Sequence, residues 1–466
     1  MTTLVSSMAT SSMALARSLF SSFDNHWAGD DIGMDRAGYS ARENEAIDMV
    51  KAQASAMGMD SYQDLAGNAY FIYRGADSTL PVFMMGSHLD AVPRGGRYDG
   101  PAGVVAGLAA IKAIHDSNVR PAQDICLTVF RNEESPWFGQ FAVGSKLACG
   151  QLSAEFLQAA QKDDGRTLYA HMNEVGLNPA ALEAALNEGQ ILLPIEQIGQ
   201  FVELHIEQGS QLEKANKSLG IVSGIRGNLR FPKKIDFHGN AGHSGAVPQA
   251  ERRDAVLAGV DFLAEFKALC IGEQANGNDL VWSCPIAHTG AGASPTTIPD
   301  FFTIQPEIRS LSPELLARMK TKLLESAQNL AAALNVRIDI KPETIITSAP
   351  SLVSPQLQSK LEDTAQSLGI DTMRIASGAG HDAAILAQAG VDAGMMFMRH
   401  GNQGASHRPD EIMTQKEGDD AFSLSGDFAN AINVLAHMAV KKASQNEGQA
   451  HTNFVQGLLQ KGATPL

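Results

Sequence analysis

The sequence predicts an α/β fold: a mixed sheet with flanking helices, interrupted by an inserted α+β segment. Three observations predict it. Short apolar runs rich in strand-forming residues alternate with helical patterns, polar chemistry-bearing residues crowd the ends of those runs, and the middle of the chain changes to a pattern of its own.

Taken in order, the chain opens on "MTTLVSSMATSSMALARSLFSSF", Ser/Met-rich and free of acids. It is faintly like an organelle transit peptide but holds one arginine. "LPVFMM" (80–85) reads as a strand, "PAGVVAGLAAIKAIH" (101–115) as a helix, and "DICLTVF" (124–130), "FVELHI" (201–206) and "AGMMFM" (393–398) as further strands. His88 and Asp90 follow the first run, and Asn132, Glu133 and Glu134 follow the second. His205 lies within the third, and His400 and His407 come after the last. In open α/β sheets ligands bind beyond the carboxyl ends of the strands, so runs far apart in sequence can empty into one site.

Residues 151–198 read as mostly helical and polar. Within 218–343, "LRFPKKIDFHG" and "FFTIQPEIRS" read as strands. A helix starts at Ser312-Pro313, where serine caps and proline takes the first position, and Leu316, Met319, Leu323, Ala327, Leu330 and Leu334 follow at helical spacing. The expected division is therefore 1–217 and 344–466 for a first domain in two parts and 218–343 for the insertion, with the tail from about 443 loosely held.

With 466 residues, the chain exceeds what one core usually organises. A formal charge of −15 opposes binding to nucleic acid or anionic membranes, and no run reaches the roughly 18 apolar residues of a membrane span. Cys126, Cys149, Cys270 and Cys284 have no CxxC spacing, which favours reduced thiols and a cytoplasmic protein.

Four pieces carry chemistry. "MMGSHLDAVPRGGRYDG" (84–100) offers His88 and Asp99 as ligands for zinc or manganese, Asp99 being of a type that can bridge two ions. Asp90 is spaced to orient the His88 ring, and the glycines around Asp99 admit close backbone approach. The same residues also make an ordinary turn. In "RNEES", Glu133 and Glu134 form either a solvated pair or a metal ligand beside a general base. His205 in "ELHIEQG" reads as a packed strand histidine or a ligand, and "GASHRPDE" as a plain loop or a loop carrying His407.

Together these pieces resemble the M20 metallopeptidase superfamily, within it the amidase/hydantoinase/carbamoylase branch of N-carbamoyl-L-amino-acid hydrolases and allantoate amidohydrolases. The resemblance runs from "DRAGYS" (35–40) to "SHRPDE" (406–411), through "GNAGHSGAVPQAERRDA" and "SGAGHDA". His205 favours this branch, because the superfamily's peptidases generally place an acidic ligand there. The resemblance implies two divalent ions, zinc or manganese with cobalt or nickel as alternatives. Asp99 would bridge them, with His88 and His205 on one, Glu134 and His407 on the other, and Glu133 as general base. It implies a lid that makes a homodimer, an oxyanion-stabilising His243 in "GHSG", and substrate contacts from Gln208 and from Arg309 in "PEIRS". Thr296 in "TTIPD" stands where the family usually has a substrate-binding asparagine. The implied reaction is hydrolysis of a non-peptide C–N bond in a small N-carbamoyl acid. Allantoate, ureidoglycolate and N-acyl amino acid hydrolysis are the alternatives.

Two rivals remain. "GAGHDA" (378–383) fits the GxGxxA of dinucleotide-binding proteins, but no clean strand precedes it. A non-catalytic binding protein would be expected to have lost ligand positions, and all are present.

Overall fold

The computed structural model describes residues 2–27, 33–231, 234–413, 426–440 and 453–466. The chain forms two compact units, one of Met1–Ser223 with Val353–Leu466 and one of Gly224–Leu352. Both boundaries fall later than the 218 and 343 read from sequence. Leu219–Ile225 is paired with Ala393–Met398 in the first unit's sheet, whereas Ile346–Ser348 is paired into the second unit's sheet.

The first unit is built on a nine-stranded mixed sheet. Its strands include β1 (Asp60–Gln63), β2 (Ala69–Tyr73), β3 (Val82–His88), β4 (Ile125–Phe130), β5 (Ile198–Ile206) and β6 (Leu219–Ile225). Across the sheet the order is Thr372–Ser377, β6, Ala393–Met398, β5, β3, β4, β2, β1, Thr464–Pro465. Ala393–Met398, β5, β3 and β4 run parallel and every residue in them is buried. Burial on both faces is what makes them near-continuous apolar runs in the sequence. Their register sets the carboxyl ends level, with Met398 opposite Ile206 and His88 opposite Phe130.

Helices α1 (Thr2–Trp27), α2 (Ala41–Ala56) and α3 (Pro101–Asp116) share the core of this sheet. α3 is buried along nearly its whole length, which its Ala- and Gly-rich sequence permits. α1 buries Leu15, Leu19, Phe20 and Phe23 in the same core. The end of the chain departs from the loosely held tail expected of it. Residues 441–452 lie outside the described residues. Beyond them, Asn453 and Gln456 form a reciprocal capping box for the helix Phe454–Gln460, and Phe454 and Leu458 are buried. Thr464–Pro465 then pairs with β1 as the sheet's edge, a position that tolerates proline.

In the second unit, Phe301–Ser310 pairs with Gly227–Arg230, Ile235–His238 and Val281–Thr289. Residues 232–233 of the segment read as a strand lie outside the described residues. Ala255–Ala275 and Pro313–Leu334 pack on this sheet around Phe237, Phe262, Ile304 and Met319. The Ser312 side chain accepts from Leu315 N at 3.1 Å, a cap worth about 1 kcal/mol.

Candidate active site

The carboxyl ends of the parallel strands deliver His88, Asp99, Glu133, Glu134, His205 and His407 to one place. His88 ends β3 and His205 sits one residue before the end of β5. Glu133 and Glu134 follow β4. Asp90 organises three of these groups. Its Oδ1 lies 3.2 Å from His88 Nδ1 and accepts from Glu133 N at 3.0 Å, and its Oδ2 accepts from Glu134 N at 3.1 Å.

Asp99 divides its two oxygens. Oδ1 lies 3.0 Å from His205 Nε2 and 4.0 Å from His88 Nε2. Oδ2 lies 3.2 Å from His407 Nε2, which is itself 3.4 Å from Glu134 Oε1. Two donor groups result, His88/Asp99/His205 and Asp99/Glu134/His407, each with its ligand-type atoms within 4.8 Å of one another. Imidazole with carboxylate is the donor chemistry of zinc and manganese, so both groups fit a divalent ion. The His205 ring is set by its Nδ1, 2.9 Å from Ile206 O. A second-layer acceptor of that kind fixes which nitrogen faces a metal.

Glu133 ligates in neither group. It is buried, its Oε2 lies 4.0 Å from His88 Nε2, and its Oε1 has no hydrogen-bond partner among the described residues. Burial pushes its pKa well above the usual carboxylate range. A carboxylate with an unpaired oxygen beside a metal-type donor set is equipped to take up a proton.

Gln208 joins this cluster, with Nε2 donating to Asp99 Oδ2 at 2.7 Å and to Ser406 Oγ at 3.2 Å. The other flagged residues belong to the second unit. His243 lies in the two-residue strand Gly242–His243, opposite Thr297, and Ser244 N donates to Thr296 O at 2.9 Å. His243 and Thr296 are therefore neighbours in a small ladder of their own. Arg309 stands on Phe301–Ser310 with its Nε donating to Glu307 Oε1 at 2.5 Å.

Several buried residues of the site were not singled out in the sequence. Glu411 accepts from the amides of Tyr98 and Asp99 at 2.5 and 3.1 Å and so fixes the backbone that presents the Asp99 carboxylate. Glu203 on β5 accepts from Ser87 Oγ at 2.8 Å and from Ala383 N at 2.7 Å. His381 packs on the His205 ring, centroids 4.6 Å apart, with Nε2 2.8 Å from Ser377 Oγ. An acid in an otherwise apolar strand, "FVELHI", was the available signal for Glu203. Thr372–Ser377, a strand that the sequence reading missed, leads into the loop that carries His381.

The chain belongs to the peptidase family M20/M25/M40, which is matched over residues 84–440. Within that family it falls in the amidase/carbamoylase branch, and it is a metal-dependent hydrolase of carbon–nitrogen bonds other than peptide bonds. The N-carbamoyl-L-amino-acid amidohydrolase of Pseudomonas sp. (strain NS671) is 32% identical over 383 residues, 82% of this chain and 89% of that one. The ureidoglycolate hydrolase of Arabidopsis thaliana is 28% identical over 410 residues, 85% of this chain and 80% of that one. A hydantoinase/carbamoylase family amidase from Burkholderia ambifaria is similar in structure with a TM-score of 0.77 at 25% identity, over 93% of this chain and 96% of that one.

Proposed function

We propose that the chain is a dinuclear-metal amidohydrolase that cleaves an N-carbamoyl-L-amino acid, releasing the carbamoyl group from the amino nitrogen. The observation that carries this reading is the Asp99 carboxylate, whose two oxygens face two separate donor groups beside the unpaired Oε1 of Glu133. His88, Asp99 and His205 would hold one ion, and Asp99, Glu134 and His407 the other. Bound divalent ions supply Lewis acidity to a water and to the scissile carbonyl. Glu133 takes the water's proton at Oε1 and returns it to the leaving nitrogen. Asp90 holds Glu133, Glu134 and His88 in register for this. Gln208 contacts substrate from the Asp99 side, and Arg309 binds the substrate carboxylate through a planar fork that a lysine cannot imitate. His243 stabilises the developing oxyanion and Thr296 lies beside it.

The inserted unit acts as lid and dimerisation domain of a cytoplasmic homodimer. Support comes from Val281–Thr289, an edge strand paired on one side alone among the described residues, and from Leu257, Val260 and Ile271, exposed on Ala255–Ala275. Ureidoglycolate or allantoate is the second reading, favoured by the Arabidopsis relative.

The test is hydrolysis of a panel of N-carbamoyl-L-amino acids, allantoate, ureidoglycolate and N-acyl amino acids after reconstitution with Mn²⁺ or Zn²⁺, read as ammonia release for the ureido substrates and as free amino acid for the N-acyl ones. Turnover confined to N-carbamoyl acids supports the first reading. Turnover confined to allantoate or ureidoglycolate replaces it with the second, and turnover of N-acyl amino acids alone removes both.

A further inference from the structure

Lys146 is placed unlike the other described lysines of the first unit, none of which is buried. It lies on the short helix Val143–Ala148 and is only 8% exposed. Its Nζ sits 3.7 Å from the centroid of the Phe141 ring and makes no ion pair among the described residues. Lysine is seldom buried so far without a carboxylate partner, and a cation–π contact returns about 0.5–2 kcal/mol.

The surroundings are tied by hydrogen bonds to the active site. Ala142, Val143 and Gly144 donate their amides to the carbonyls of Glu133, Asn132 and Arg131 at 2.7, 2.9 and 2.8 Å, so this segment is tied to the backbone of the general base. Ser145 Oγ donates to Asp382 Oδ1 at 2.5 Å. The Phe141 ring lies against Gly380, where a Cβ would stand 2.7 Å from ring carbon Cε2, and it cannot swing that way. Burial pulls the Lys146 pKa down to about 8, while Glu133 and Asp382 act to raise it, and the ammonium is still charged at neutral pH. A cation is thus held within electrostatic reach of Glu133 and left without an anionic partner.

We infer that Lys146 is a second anion-recognition point of the active site and selects substrates bearing an additional carboxylate, such as N-carbamoyl derivatives of dicarboxylic amino acids. This deepens the amidohydrolase reading and rests on it for the identity of the substrate. The chemistry is direct. A carboxylate that reaches Nζ gains a charge-assisted hydrogen bond, and an apolar side chain of similar length gains nothing there.

Two measurements test it on the full-length, Mn²⁺-loaded protein. The first compares kcat/KM for N-carbamoyl-L-aspartate and N-carbamoyl-L-alanine in wild type, Lys146→Met and Lys146→Arg. Lys146→Met should lower the aspartate-to-alanine ratio about ten- to hundred-fold, the worth of one hydrogen bond to a charged group, and Lys146→Arg should keep most of it. A purely structural role would depress both substrates together and leave the ratio unchanged, which overturns the inference. The second measures the shift in Tm caused by succinate and by butyrate, and it needs no turnover. Wild type should favour succinate, and Lys146→Met should lose that preference. Wild type without the preference, or Lys146→Met retaining it, overturns the inference. Failure of wild type to hydrolyse any N-carbamoyl acid would instead remove the proposed reaction, while the succinate comparison still reads Lys146.

Discussion

Gly100 lies against the His88 imidazole so closely that a Cβ at position 100 would stand 2.3 Å from ring carbon Cε1. Its φ of +81° is also one that an L side chain rarely adopts. Position 100 is the residue after Asp99 and the N-cap of α3, so one backbone conformation serves a ligand-type carboxylate, a ligand-type histidine and a helix start.

Gly100→Ala is therefore expected to displace the His88 ring. Strain at positive φ costs about 1–2 kcal/mol before the clash is counted. The expected outcome is a lower Tm together with a loss of bound metal, measured by elemental analysis. A variant with wild-type metal content would show that His88 does not need this glycine.

The two adjacent glutamates are expected to fail differently. Glu133→Gln should keep its metal and lose roughly 10²–10⁴ in turnover, the usual worth of a general base. Glu134→Gln should lose metal, because Glu134 shares a donor group with Asp99 and His407. Elemental analysis of both variants decides the matter. The reverse pattern would mean that the two roles are exchanged.

These contrasts mark what the sequence made legible. The buried parallel strands announced themselves because burial on both faces leaves near-continuous apolar runs, and the polar residues at their ends suggested one site, whereas the roles of those residues came from the resemblance to the M20 superfamily. Strands such as Thr372–Ser377, with its exposed Arg374 and half-buried Met373, carry no such run and were missed. Glu411 was out of reach for another reason. Its task is to accept two backbone amides from a loop more than 300 residues away in sequence, and nothing local encodes that pairing. The docked tail was likewise hidden, since its hold depends on pairing with β1 and on the T-shaped contact of Phe454 with Tyr70.

Arg309 provides a test of substrate recognition. Its Nε is held by Glu307, whose other oxygen accepts from Arg230 Nε at 2.5 Å, so the guanidinium is oriented by a neighbour on its own strand. Arg309→Lys keeps the charge and loses the fork. KM for carboxylate-bearing substrates should rise strongly, about tenfold or more for one lost charge-assisted bond, with little effect on neutral amides. Equal losses on acid and neutral substrates would refute the carboxylate assignment.

Asp64 gives a pH signature that lies away from the metal-type ligands. Its carboxylate accepts from Asn68 N at 2.9 Å, Asn68 Nδ2 at 2.8 Å and Tyr70 Oη at 2.8 Å, yet burial outweighs these bonds and raises its pKa from 3.8 to about 6. A carboxyl with a pKa higher in the folded than in the unfolded state contributes fully below the unfolded value, and that contribution is lost as pH rises through the folded one. The change is worth about 3 kcal/mol. The stability of wild type relative to Asp64→Asn should therefore fall by roughly that amount from about pH 4 to pH 7, read from urea unfolding. A pH-independent difference would contradict the shift.

The last prediction concerns assembly. If the inserted unit makes the proposed dimer, His243 is expected to serve the active site of the other subunit. A C₂ interface presents the same patch from both copies, and a residue reaching across it ties activity to association. Glu133→Ala and His243→Ala, each inactive alone, are dissociated together and allowed to reassociate. With His243 working in trans, a heterodimer has one site with both lesions and one with neither. Random pairing makes about half the dimers heterodimers, each with one intact site of two, so about a quarter of wild-type activity should return. With His243 working within its own subunit, every site keeps one lesion and mixing restores nothing. Subunit exchange is verified separately by native mass spectrometry of differently tagged chains. Confirmed exchange without recovered activity would sink the trans assignment and leave His243 serving its own chain.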